Sequence, residues 1–370
     1  MQRVQGNGLG LFPFPALLIC YSDSVYQSRE YLNRFCNSAV RTESKVRYDG
    51  PKALRTEQGR RQPEARPGTY RAKRQQAGVV LYGTLVIAYL FLGGAAGGTF
   101  LVMASWSLVL HHSYPHRSSL VRRDFRLLRG RICALATAIL AAAMLCLLWD
   151  LDYPERALMV FMAARPTVLT FGACVLTGLL IVGALLVLAN LFHLRFFTGP
   201  FKRMLEVACA VLAIAVMGYT GVFLYSNVGI SFWHTPLLVG LFFCSALSSG
   251  LSTTMLADYF SHAEAKLVHA VRPLQKCHLA CLAAELLFMI AFVVAAWTSP
   301  QSAGAIAALL SPEVLSTALV GAVGLGVIVP AALESYALFR KEQRAIPVSD
   351  FVCLIGALCL RWTVIVCGVH

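Results

Sequence analysis

Apolar residues come in long unbroken blocks from Val79 onward, with polar residues gathered between the blocks rather than alternating within them. Eight runs result, at 79–110, 132–149, 168–192, 207–225, 236–257, 277–297, 314–333 and 351–369. A helix needs about 20 residues to cross roughly 30 Å of hydrocarbon. A backbone without water must close its hydrogen bonds within the segment. The pattern therefore predicts eight transmembrane helices. The alternation that a membrane barrel requires is missing from the runs. The hydrophobic fraction of 58% and mean hydropathy of +0.66 agree with an all-α integral membrane protein.

Lys and Arg in the connecting segments orient such helices. The first, third, fifth and seventh loops hold six, three, three and three, those of the first being Arg117, Arg122, Arg123, Arg126, Arg129 and Arg131. The second loop has only Arg156 and Arg165, and the fourth and sixth have none. An asymmetry of 15 against 2 predicts that the odd loops are cytoplasmic and that both ends of the eight-helix body lie outside the cytoplasmic membrane. The charge is thereby accounted for as a topology signal, without a nucleic-acid partner.

Residues 1–78 carry 14 Lys and Arg against six acidic residues, contributing +8 of the +14 net charge. Rich in Arg, Gln, Pro and Gly, they bury too little apolar surface to offset chain entropy, and a disordered basic tail is expected ahead of a membrane domain at 79–370. Its charge opposes the orientation of the body, which a start codon assigned too far upstream would explain.

The twelve cysteines contain no C-x-x-C pair. Most are scattered singly through the runs, where Cys packs as a small hydrophobe. Cys277 and Cys281 share a helix face, but two thiols fall short of the four ligands of a structural zinc or an iron–sulfur cluster. All nine histidines fall in loops or at the ends of runs. A haem-binding bundle needs axial ligands deep in its core, so neither haem, cluster nor other metal is expected in this chain.

Two stretches stand out from the apolar background. The first run contains YLFLGGAAGGTFLVMASW, whose Gly93, Gly94, Gly97 and Gly98 permit close backbone approach. A fainter version, LFFCSALSSGLST, occupies the fifth run in the same predicted direction, which points to two parallel four-helix halves. At the outer end of the second run, LCLLWDLDYPERALMVF gathers Asp150, Asp152, Glu155 and Arg156 beside Trp149, a grouping suited to docking a partner.

Read in order, YLFLGGAAGGTFL, LLWDLDYPERAL, RPTVLTFGA, KRMLE followed by YTGVFL, FWHTPLLVGLFFCSALSSG and LIGALCLRWTVIVCGVH resemble the NrfD or polysulfide-reductase-type membrane subunits of complex iron–sulfur molybdoenzymes. The resemblance covers residues 79–370. It implies a quinone-reactive anchor, with menaquinone as the quinone, that docks a four-cluster iron–sulfur subunit and through it a molybdopterin catalytic subunit. In the outer motif the family often reads Asp-Leu-Gly-Arg-Pro, where this chain has Asp152 and Tyr153 in place of Gly and Arg. Some members place a quinone-liganding histidine in the outer half of the first helix, where this chain carries Tyr82 and Tyr89.

Polar residues inside the runs supply the remaining chemistry. Tyr219 and Thr220 fall about 8 to 9 Å inside the outer end of the fourth run, where the resemblance places a quinone head group that a Tyr hydroxyl can meet as donor. Glu285 and Arg361 fall about 12 and 15 Å from the inner ends of the sixth and eighth runs. Ionisable groups at that depth pair with one another or line a water path, so a buried ion pair and a proton path are both open readings. Glu206 and Glu334, nearer the ends, read as interfacial. The expectation is a membrane anchor and quinone-binding subunit of an oxidoreductase, with a secondary transporter of a small solute as the alternative. Matched helix breaks in both halves would favour the transporter.

Overall fold

The computed structural model describes residues 67–113, 119–149, 167–191, 200–227, 229–260, 268–340 and 347–369. Most of the basic tail lies outside the described residues, as do Asp150, Asp152, Glu155 and Arg156. Among the described residues, eight long helices follow one another: α1 (Pro67–Ser113), α2 (Ser119–Trp149), α3 (Val168–Leu191), α4 (Pro200–Tyr225), α5 (Pro236–Phe260), α6 (Val268–Thr298), α7 (Pro312–Phe339) and α8 (Pro347–Val369). All eight contain a segment long and apolar enough to cross a membrane. The protein is multi-pass.

Local chemistry sets where these helices begin. Proline opens α4, α5, α7 and α8, at the position where its missing N–H and fixed φ carry no penalty. Thr167 caps α3 by accepting the Thr170 N–H at 3.2 Å. Winding is regular except in α7, whose segment Thr317–Ile328 is a π-helix with the Val329 N–H bonded to the Gly324 carbonyl. Pro330 follows directly. It has no N–H to offer, and its ring would press on a carbonyl one α-turn back. α3, the equivalent helix of the first half, is α-helical throughout, so the break is not matched as a transporter's would be.

The solvent preference of a soluble protein is inverted. Leu145, Ile181, Val211, Leu287, Val294 and Val320 face outward, whereas Arg129, Glu206, His278, Glu285, Glu334, Asp350 and Arg361 are buried. Enclosure also repeats after four helices. Within the apolar windows, 67% of α1 and of α5 is buried, 28% of α2 and α6, 33% of α3 and α7, and 44% and 50% of α4 and α8. The two halves foreseen from the small-residue motifs are thus α1–α4 and α5–α8, with α1 and α5 innermost.

Those motifs meet each other. Gly94 lies against Ala246, and one turn further Gly98 lies against Gly250. A Cβ at Gly98 would overlap the Ala246 carbonyl, and one at Gly250 would overlap the Gly98 backbone. Lipid offers no hydrophobic drive for helix association, so close packing of this kind must supply it. Residue numbers rise together along the contact, so α1 and α5 run parallel. At the far side of the body a turn at Ser231–Trp233 is held to α8 by the Trp233 Nε1 hydrogen bond to the Val364 carbonyl, 3.0 Å long.

Candidate functional site

Among the described residues, three polar regions interrupt the apolar interior. In the first, α1 supplies Tyr89 and α4 supplies Tyr219, with relative exposures of 1% and 3%. Their hydroxyls lie against each other. The Tyr89 hydroxyl, though enclosed, has no hydrogen-bond partner among the described residues. α3 makes room for the pair, since a Cβ at Gly172 would overlap the Tyr219 ring. Thr220 is buried beside them, but its hydroxyl donates to the Met217 carbonyl at 2.7 Å, back into its own helix. Of the three residues, Tyr89 and Tyr219 are the ones whose hydroxyls interact.

The second region lies at mid-helix and joins α6, α5, α8 and α1. Ser248 donates to Glu285 Oε2 at 2.7 Å. Three residues earlier on the same face of α5, Ser245 Oγ accepts from Arg361 Nη1 at 3.1 Å. Arg361 also donates from Nη1 to the Ala357 carbonyl at 2.9 Å and from Nε to the Leu90 carbonyl at 3.2 Å. The Phe91 and Phe242 rings lie 5.7 and 5.5 Å from its guanidinium carbon, positions that favour a cation. Gly94 admits the guanidinium, because a Cβ there would stand 2.9 Å from Nη2. Glu285 and Arg361 are thus brought near each other without the direct contact of an ion pair. Two serines of α5 stand between them.

The third region comprises two clusters at the end of the body toward which α1 and α5 run. Each takes at least one polar residue from every helix of its half. In the first half, Arg129 of α2 bonds Glu206 Oε1 of α4 at 2.7 Å and Asn190 Oδ1 of α3 at 2.5 Å, and also contacts Ser107 of α1. Ser107 in turn donates to Glu206 Oε2 at 3.0 Å, and Lys202 donates to Asn190 Oδ1 at 2.9 Å. In the second half, His278 of α6 meets Glu334 of α7 through Nδ1 at 2.5 Å and Ser252 of α5 through Nε2 at 3.1 Å. Asp350 of α8 completes the group.

Several expectations change here. Arg129 and Arg131, counted with the first loop, lie inside the apolar span of α2 (Leu127–Trp149), and Arg129 is buried. Glu206 and Glu334, read as interfacial, are enclosed at 7% and 4% exposure. His278, read as a residue at a run's end, is fully buried within the α6 span (Pro273–Thr298). The cause is common to all four buried groups. An apolar run is cut at its first charge, whereas the helix continues and tertiary pairing shelters the charge. A sequence signal existed in the repeated placement of one acid near the same end of α4, α7 and α8.

Known proteins resemble this chain over most of its length. The family described as Polysulphide reductase, NrfD matches residues 73–370. Over 322 residues the chain is 24% identical to the C subunit of polysulfide reductase from Wolinella succinogenes, spanning 80% of this chain and 96% of that one. Over 177 residues it is 27% identical to protein NrfD of Escherichia coli K12, spanning 46% of this chain and 54% of that one.

Proposed function

The chain belongs to the polysulphide reductase, NrfD family, and on that premise we propose that it is the membrane anchor and quinol-reactive subunit of a multi-subunit oxidoreductase. Electrons pass between the quinone pool, menaquinone by preference, and a four-cluster iron–sulfur subunit that serves a molybdopterin catalytic subunit. The charge asymmetry of the loops supports placement in the cytoplasmic membrane with the partner on the outer face, where Asp150, Asp152, Glu155 and Arg156 meet it.

The observation that carries this reading is the buried pair Tyr89 and Tyr219, one hydroxyl of which is unsatisfied. Leaving a buried donor unmade is costly, and a quinone carbonyl is an acceptor matched to it. A bound quinone supplies the two-electron, two-proton couple. Tyr89 and Tyr219 orient its head group and hold a proton at the phenol oxygen during exchange. Glu285, joined through Ser248 and Ser245 to Arg361, stands as a proton relay inside the body, with the Arg361 charge offsetting its own.

Tyr89→Phe and Tyr219→Phe test the assignment, since each removes one hydroxyl and keeps the ring. A lost hydrogen bond of about 0.5 to 1.5 kcal/mol corresponds to about a 2- to 13-fold loss of quinone affinity. Quinol-linked electron transfer is measured in membranes beside turnover of the partner with an artificial donor that bypasses this subunit. Selective loss of the quinol-linked rate is expected. No change in either rate moves the quinone elsewhere, and equal loss of both indicates misassembly.

A further inference from the structure

We propose that His278, Glu334 and Asp350 form a binding site for one divalent transition-metal cation of the zinc class. Each offers one donor atom, from α6, α7 and α8 respectively, and the three atoms lie within 4.8 Å of one another. All three side chains are buried, at 0%, 4% and 1% exposure. Grouped acids alone would not identify a site. The independent observation is that both Asp350 oxygens and Glu334 Oε2 are without a hydrogen-bond partner among the described residues, although each is enclosed. Among those same residues, neither acid forms an ion pair with Lys or Arg, and Glu334 pairs only with His278.

With both acids ionised and the imidazole neutral the set would carry a charge of −2, in a medium that penalises even one unpaired charge severely. One dication brings the set to neutrality without adding a side chain. The imidazole is set for this role. Nε2 faces Ser252 Oγ at 3.1 Å, and donation there would free Nδ1, which now contacts Glu334 Oε1 at 2.5 Å, to ligate a metal, as in sites where the second ring nitrogen fixes the tautomer of a ligating histidine. A nitrogen and two carboxylate oxygens suit zinc, cobalt or manganese better than magnesium or calcium, which prefer all-oxygen shells. Gln275 and Ser349, both buried, border Glu334 and Asp350. Cys353 Sγ lies 3.6 Å from Nε2, on the other side of the ring, and is outside the donor set. The corresponding cluster of the first half has no such capacity, because Glu206 is already saturated by Arg129 and Ser107.

The test uses the full chain, purified from membranes in detergent with the subunits that accompany it and carrying no polyhistidine tag. The sample is stripped with chelator, loaded with zinc or cobalt, desalted and assayed by elemental analysis. The proposal expects about one zinc or cobalt per chain retained by the parent, at least a tenfold lower affinity in Asp350→Asn and Glu334→Gln, and unchanged retention in Cys353→Ser. Bound cobalt should show the visible bands of a nitrogen–oxygen tetrahedral site. Absence of zinc and cobalt from the loaded parent overturns the proposal and leaves the acids neutralised by protons. Equal retention by parent and Asp350→Asn overturns it as well, because the metal then sits elsewhere. The parent's own stoichiometry keeps the test decisive if a variant fails to assemble.

Discussion

The two clusters at one end of the body are built alike and finished differently. Each draws on four successive helices and each buries acid in the membrane-spanning part of the fold. Around Glu206, both carboxylate oxygens accept hydrogen bonds, and Arg129 and Lys202 leave the group with an excess of positive charge. Around Asp350, neither oxygen is used among the described residues, and the nearest nitrogen base is a histidine that already contacts another acid. Buried ion pairs seldom add net stability, yet breaking one is expensive. The first cluster therefore behaves as a closed structural joint. The second is a site that has spare valence.

The largest consequence of this contrast concerns Glu206. Glu206→Leu strands the Arg129 charge and is expected to cost about 3 to 5 kcal/mol, read as a lowered unfolding midpoint in detergent and reduced accumulation in membranes. Adding Arg129→Met should recover much of that loss, because a matched apolar replacement removes the orphaned charge. If the double variant is no better than the single, the joint has a role beyond holding helices.

Asp350→Leu should behave in the opposite way. In chelator-treated protein it removes an unpaired buried acid, and stability is expected to hold or to rise, by about 1 to 3 kcal/mol at most. Zinc at about 100 times its dissociation constant should stabilise the parent by about 2.7 kcal/mol and leave Asp350→Leu unmoved. Losses matching those of Glu206→Leu would erase the distinction between the clusters.

The smallest effect is expected at Ser252. Ser252→Ala deletes one hydrogen bond to His278, worth about 0.5 to 1.5 kcal/mol, and frees the imidazole to change tautomer. Unfolding should shift slightly, while metal retention falls more than stability does. A stability loss without any change in retention would make Ser252 a packing residue only.

The eight spans and their two parallel halves were legible in the chain because hydropathy is a property of each residue on its own and the membrane filters for it. The glycines of α1 signalled close packing for a similar reason, since a small residue in a span has few other uses, but that Gly98 meets Gly250 came only from the fold. Tyr89 and Tyr219 also emerged as candidates, on the strength of the resemblance. Arg129, Glu206, His278 and Glu334 were missed as buried groups because their shelter is made by other helices. Hydropathy registers the cost of a charge where it stands and says nothing of the partner that offsets it. Glu285 and Arg361 show the intermediate case. Their depth followed from counting residues, but the serines that separate them belong to α5, and no count along α6 or α8 could place them there.

The wide winding of α7 has a consequence for chain length. A π-helical stretch holds more residues per turn than the 3.6 of an α-helix, so Thr317–Ile328 carries slack. A residue lost there can be absorbed by tightening toward α winding, leaving Glu334 close to its present bearing. α6 has no such reserve between His278 and Glu285, where each deletion would turn everything beyond by about 100° and carry Glu285 away from Ser248. Insertions and deletions among related chains should therefore collect in the first part of α7 and be rare in the middle of α6.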